Sequence, residues 1–280
     1  MLQPRLLSTI AAFVIALVAG VGVLPVEASA QTRTVTQGGS VVVHGTGVCT
    51  VGYNDPARHR SFVAAHCGRN GARVEIVDPA TNARSGAVGT LYRSRAYDGH
   101  LGNDWAAIQW DPGVRLDGNR ITGDAWVHPN DIRMGETVCY FGRTSHAGGG
   151  RTCGSFGGSA DNTFLLNAPL TRPGDSGGPM WVPGRGFVGV VSSMWTSRQL
   201  PLVQGKNFVV GVVPQDGPPV PDARLVGLWA QNTFLPGLTG PVAEGIRAVI
   251  DTILRLFTGL GFHGPCLLYT SPSPRDATLS

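Results

Sequence analysis

The sequence predicts an all-β fold, a sandwich or a barrel, on three observations. Short apolar or alternating runs recur between residues 40 and 214, at 41–43, 61–65, 73–77, 87–91, 105–110, 137–141, 163–167, 186–192 and 208–213, separated by Gly, Asn, Asp and Pro. None of these segments has a helical period, and a parallel α/β sheet would need helices between its strands. Glycine accounts for 40 and proline for 20 of the 280 residues, with 14% charged and 42% apolar, which excludes a charge-rich disordered chain and a coiled coil.

The first segment, 1–30, carries Arg5, an apolar run from Leu6 to Val26 and then Ala28-Ser29-Ala30, the three parts of a secretory signal. Cleavage after Ala30 leaves Gln31 and a short N-terminal segment, 31–40; the alternative is an uncleaved anchor, since the apolar run is long enough to span a bilayer. Export makes disulfides permissible. The strand-rich middle divides most naturally at 112–122, where Gly113, Asp117, Gly118 and Asn119 cluster. After Pro214 the texture changes to a Pro/Gly-rich linker, 215–240.

An amphipathic helix follows at 241–258. Ile246, Val249, Ile250, Ile253, Leu254 and Phe257 share one face; Glu244, Arg247, Asp251 and Arg255 share the other. Its stretch 242–256 suits packing on the β-structure, a protein contact or a membrane surface. Residues 266–276, Cys-Leu-Leu-Tyr-Thr-Ser-Pro-Ser-Pro-Arg-Asp, resemble a translated sequencing adaptor, so 266–280 is read as a non-native tail. Setting Cys266 aside leaves an even set: Cys49, Cys67, Cys139 and Cys153. A net charge of +4 without a basic cluster gives no support for nucleic-acid binding.

The chemistry-bearing residues lie in three short motifs. Gly174-Asp175-Ser176-Gly177-Gly178-Pro179 sets a serine among glycines that permit a tight turn and a close substrate approach. A serine hydroxyl needs a base to take its proton and a group to orient that base. His66 ends the apolar run Ser61-Phe62-Val63-Ala64-Ala65, and Asp104 opens Trp105-Ala106-Ala107-Ile108. Asp98 competes with Asp104, but Tyr97-Asp98-Gly99 reads as a turn. A metal enzyme is disfavoured, because there is no His-Glu-x-x-His run and the cysteines are not spaced for zinc. The Gly-rich segments lack the lysine and the strand-to-helix unit of a phosphate loop.

These motifs, in the order His, Asp, Ser on a strand-rich chain with a signal segment, resemble the chymotrypsin-like serine peptidases, and more closely their short secreted bacterial members. The resemblance covers roughly residues 41–213. It implies two antiparallel six-stranded β-barrels, 41–116 and 117–214, with the site between them and the C-terminal helix as an extension. It further implies a secreted or cell-envelope-associated serine endopeptidase, monomeric, acting on polypeptides and needing no cofactor or metal. Ser176 would be the nucleophile, His66 the base and Asp104 its orienting group, with the N–H groups of Gly174 and Ser176 as the oxyanion hole. Disulfides Cys49–Cys67 and Cys139–Cys153 are implied as well. Two other readings compete with the endopeptidase: a catalytically silent secreted binding protein on the same fold, and an esterase.

Two features depart from the family pattern. The aspartate before the nucleophile, Asp175, needs a partner; the N-terminal segment only loosely resembles an activation site, so Arg143 is the expected internal partner and no zymogen is expected. The pocket for the side chain preceding the cut would be formed by Leu170, Ser192 and Met194. Leu170 offers no acid at its base, which argues against Lys or Arg specificity, and Met194 narrows it, so small or medium apolar side chains are expected.

Overall fold

Alternating runs bury one face of some strands and apolar runs bury both faces of others, and the turns between them bring them into two main antiparallel sheets. The computed structural model describes residues 33–99, 102–196, 207–218, 220, 227–228, 230–232 and 240–259. The signal segment 1–30, most of the linker 215–240 and the tail 266–280 lie outside the described residues.

The N-terminal sheet comprises β2 (Ser40–Val43), β3 (Gly47–Thr50), β4 (Tyr53–Asp55), β5 (Arg60–Val63), β6 (Arg73–Val77), β7 (Arg84–Arg93) and β8 (Ala106–Trp110), following the two-residue strand β1 (Thr34–Val35). Its order is β3-β2-β6-β7-β8-β5-β4, seven strands with β3 and β4 at open ends. This corrects the expected closed six-stranded barrel for this half. The seam is held open because its main-chain groups face the other half: Thr50 N–H donates to Ser176 O at 2.9 Å, and a Cβ on Gly52 would meet Gly177 O at 2.4 Å. Val41, Val43, Val63, Val74, Leu91 and Ile108 fill the concave side. Each buried aliphatic side chain contributes about 1.5–3 kcal/mol of transfer free energy.

The connection between the halves carries β9 (Arg115–Leu116), paired in parallel with β1. Just beyond β1, the Gln37 amide is buried; it donates to Gly52 O and Thr122 Oγ1 and accepts from the N–H groups of Ile121 and Thr122. The short N-terminal segment is therefore built into the fold from residue 34 onward, and a chain starting well beyond residue 40 would lack β1 and this amide.

The C-terminal half meets the six-stranded expectation. Strands β10 (Thr137–Tyr140), β11 (Thr152–Ala160), β12 (Thr163–Asn167), β13 (Pro179–Val182), β14 (Gly186–Thr196) and β15 (Asn207–Val212) close in the order β10-β11-β12-β15-β14-β13. Val138, Tyr140, Phe164, Leu166, Met180, Val188 and Val209 form its core. Helix α1 spans Pro241–Gly259; of its described apolar side chains Val242, Val249, Ile253 and Leu256 are exposed and Ile246 is partly buried. Among the described residues no helix is long and apolar enough to cross a membrane.

Both implied disulfides are present. Cys139–Cys153 joins directly opposed positions of β10 and β11, and Cys49–Cys67 ties β3 to the turn that carries His66. The Cys49–Cys67 loop spans a sequence separation of 18 residues. Replacing both of these cysteines by alanine is expected to lower unfolding stability by about 3 kcal/mol in the loop-entropy model, read as a lower urea midpoint at unchanged m-value.

Candidate active site

His66 sits in a single 3-10 turn, Ala65–Cys67, at the end of β5, where the buried neighbours Ala65 and Cys67 fix the backbone. Asp104 is fully buried immediately before β8. Its Oδ1 accepts the His66 main-chain N–H at 2.9 Å, and its Oδ2 lies 2.7 Å from His66 Nδ1. A carboxylate can only accept, so Nδ1 carries the proton and Nε2 is left as an acceptor. Ser176 Oγ is 2.8 Å from Nε2. The three sequence-predicted residues, up to 110 positions apart, thus form one hydrogen-bonded chain running Ser176 to His66 to Asp104. Asp98 is exposed, and Asp104 takes the place at His66 for which it competed.

Ser192 has a place that the sequence did not disclose. Its side chain is fully buried and its hydroxyl donates to Asp104 Oδ2 at 2.6 Å. Its hydroxyl thus serves the carboxylate that holds His66. Leu170 and Met194 are both partly buried. The Tyr140 hydroxyl donates to Pro169 O at 3.2 Å and Leu170 O at 3.5 Å, anchoring the chain at Leu170. Burial pushes the Tyr140 phenol above its ordinary range, so it remains a donor.

The Ser176 loop is shaped by glycines with left-handed φ, Gly174 at 93° and Gly177 at 85°. A Cβ on Gly177 would fall 2.6 Å from Thr50 O, in the open seam of the N-terminal sheet. Thr50 Oγ1 donates to Gly174 O at 2.7 Å, and Gly177 N–H donates to Val191 O at 2.7 Å. Among the described residues no protein acceptor takes the N–H of Gly174 or of Ser176. Two main-chain donors are therefore free beside the serine hydroxyl, as stabilisation of a developing oxyanion requires.

Asp175 is fully buried, and its partners differ from the arginine expected. Oδ1 accepts from the N–H groups of Thr144 and Ser145, both at 2.9 Å; Oδ2 accepts from Arg172 N–H at 2.8 Å and from the Ser145 hydroxyl. Among the described residues no arginine side chain pairs with it; Arg143 enters only through its main-chain N–H, which donates to Thr50 Oγ1 at 3.0 Å. The carboxylate is satisfied by main-chain dipoles and one hydroxyl, which need no cationic partner. Among the described residues no group of three or more His, Cys, Asp or Glu is placed to hold a metal ion.

No family model matches the chain. It is similar to the uncharacterized protein Rv1815 of Mycobacterium tuberculosis strain H37Rv, 31% identical over 200 residues, covering 68% of this chain and 87% of that protein. It is equally similar to the uncharacterized protein MT1863 of Mycobacterium tuberculosis strain CDC 1551, with the same identity and coverage.

Proposed function

The chain belongs to the family of the uncharacterized mycobacterial proteins Rv1815 and MT1863, and on that premise we propose that it is a secreted serine endopeptidase working through an acyl-enzyme. The observation that carries this reading is the unbroken chain from Ser176 Oγ through His66 to a buried Asp104, beside two free main-chain N–H donors. A buried serine, histidine and aspartate with a merely structural role would have no need of unpaired donors at the serine. Two disulfides are compatible with life outside the cell.

In the first half-reaction Ser176 Oγ bonds to the scissile carbonyl carbon while its proton passes to His66 Nε2. The carbonyl electron pair moves to oxygen, where the N–H groups of Gly174 and Ser176 receive it. Collapse breaks the C–N bond, and the proton on Nε2 goes to the departing amine. Water, deprotonated by His66, then hydrolyses the ester and returns the serine hydroxyl. Asp104 stays ionised throughout, holding the ring's tautomer and stabilising its charged form. With Leu170 at the pocket base and Met194 on its wall strand, the residue before the cut is small or medium and apolar, because no acid is supplied there to receive a buried cation.

A fluorophosphonate probe tests the reading directly. The disulfide-bonded secreted protein is expected to be phosphonylated at Ser176 alone, located by mass spectrometry, and Ser176→Ala is expected to take no label. A folded sample that stays unlabelled would overturn the proposal in favour of a binding protein. Labelling with turnover of simple esters but of no peptide in a diverse library would replace endopeptidase by esterase.

A further inference from the structure

Asp104 must hold its carboxylate against His66 within tenths of an ångström, yet it sits at a turn before β8. The turn is closed locally by Trp105 N–H donating to Asn103 O at 2.7 Å. Asn103 itself has φ of 58° and is 1% exposed. Left-handed backbone is unfavourable for any residue with a Cβ, and asparagine tolerates it best when its amide is bonded.

That amide is bonded to two distant segments. Oδ1 accepts from Asn162 Nδ2 at 2.7 Å and from Gly217 N–H at 2.8 Å, while Nδ2 donates to Gly217 O at 3.1 Å. Asn103 and Gly217 thus form a two-bond ring, as one peptide group pairs with another. Asn162, in the β11–β12 connection of the closed barrel, also donates to Gln215 O at 2.9 Å. The neighbouring contacts repeat the pattern: the Ser94 hydroxyl donates to Asp216, Ser94 N–H donates to Trp105 O, and a Cβ on Gly102 would meet Val220 N at 3.2 Å. The chain just past β15 therefore lies across the loop that presents Asp104 and grips it on either side of that residue.

We infer that Asn103 is a positioning residue for Asp104, and that residues 215–217 belong, through its amide, to the apparatus that orients the catalytic base. This rests on the proposed triad chemistry but is tested separately from it. Without the amide, Gly217 loses both partners and Asn162 one, and among the described residues the local bond from Trp105 N–H to Asn103 O is what remains at residue 103. The Asp104 carboxylate then shifts away from Nδ1, and a displacement of that order slows chemistry strongly.

The test uses the full secreted chain with Asn103→Gly, which keeps the left-handed backbone unstrained and removes only the amide. Two quantities are read: the rate of phosphonylation by a fluorophosphonate, and the far-downfield proton resonance of His66 Nδ1–H bonded to Asp104. The rate is expected to fall by about tenfold or more, and the resonance to weaken or move upfield, while the amide spectrum elsewhere stays that of the folded protein. An unchanged rate with an unchanged resonance overturns the inference. If the wild-type chain is not phosphonylated, the peptidase reading fails, and the resonance alone decides this one. Should Asn103→Gly not fold, Asn162→Ser, which removes one donor from Asn103 Oδ1 and from Gln215 O, is expected to shift the resonance in the same direction; no shift overturns the inference.

Discussion

His66→Ala and Ser176→Ala are each expected to lower kcat/KM on a cleavable peptide by on the order of 10⁶, with the double variant no slower than either single one. The serine hydroxyl is activated only through the 2.8 Å bond to Nε2, so removing either end removes the same interaction. Asp104→Asn is expected to cost about 10⁴, because an amide presents a donor to Nδ1 and favours the wrong ring tautomer. Ser192→Ala takes away one of the bonds to the carboxylate and leaves the other two, so its cost is about 1 kcal/mol, or roughly fivefold. Steady-state kinetics on all five variants, with circular dichroism as the folding control, checks this ordering. A His66→Ala variant keeping a tenth of the wild-type rate would remove the base from the mechanism.

Asp175→Ala is expected to slow phosphonylation by about 10³ although its carboxylate bonds to none of the three residues. Its carboxylate gathers the N–H groups of Thr144, Ser145 and Arg172 and the Ser145 hydroxyl around the turn that presents Gly174 and Ser176. Losing it leaves those donors buried and unpaired, a penalty of about 3 kcal/mol, large enough for the turn to rearrange. Without that geometry the two oxyanion donors no longer converge, and the labelling rate is expected to fall by about 10³. Gly142→Ala offers the same test from the other side, since a Cβ there would lie 2.1 Å from Asp175 Cγ and must displace it. Because Asp175 is satisfied by Thr144, Ser145 and Arg172, all within the C-terminal barrel, adding residues ahead of Gln31 is expected to leave the labelling rate unchanged. Labelling that appears only after N-terminal trimming would show that this clamp does not hold the loop.

Much of the fold is legible in the residue pattern. The alternation at 73–77 and the apolar run at 163–167 mark β6 and β12 to the residue, because a strand with one buried face alternates and one buried on both faces is apolar throughout. Strand β11 escaped notice: Thr-Cys-Gly-Ser-Phe-Gly-Gly-Ser-Ala shows no alternation. Its glycines answer to close neighbours: a Cβ on Gly154 would come within 1.9 Å of Asn167 O on the adjacent strand β12. The open seam of the N-terminal sheet was equally hidden, since it depends on where Ser176 and Gly177 arrive from the other half.

The candidate site divides along the same line. His66, Asp104 and Ser176 stand out in short motifs, because the roles proposed for them, base, orienting acid and nucleophile, each require a particular side chain. The residue pattern by itself therefore determined the strand-rich class and the even set of four cysteines, while the constellation of His66, Asp104 and Ser176 and both cysteine pairings came through the family resemblance. Only the tertiary structure decided what holds them in place: Ser192 reaching Asp104 across 88 positions, main-chain amides in place of Arg143 at Asp175, and Gly217 closing on Asn103. Main-chain N–H and C=O groups are common to nearly every residue, so the bonds they make leave no mark in the sequence, and only the packing of distant segments selects which of them meet.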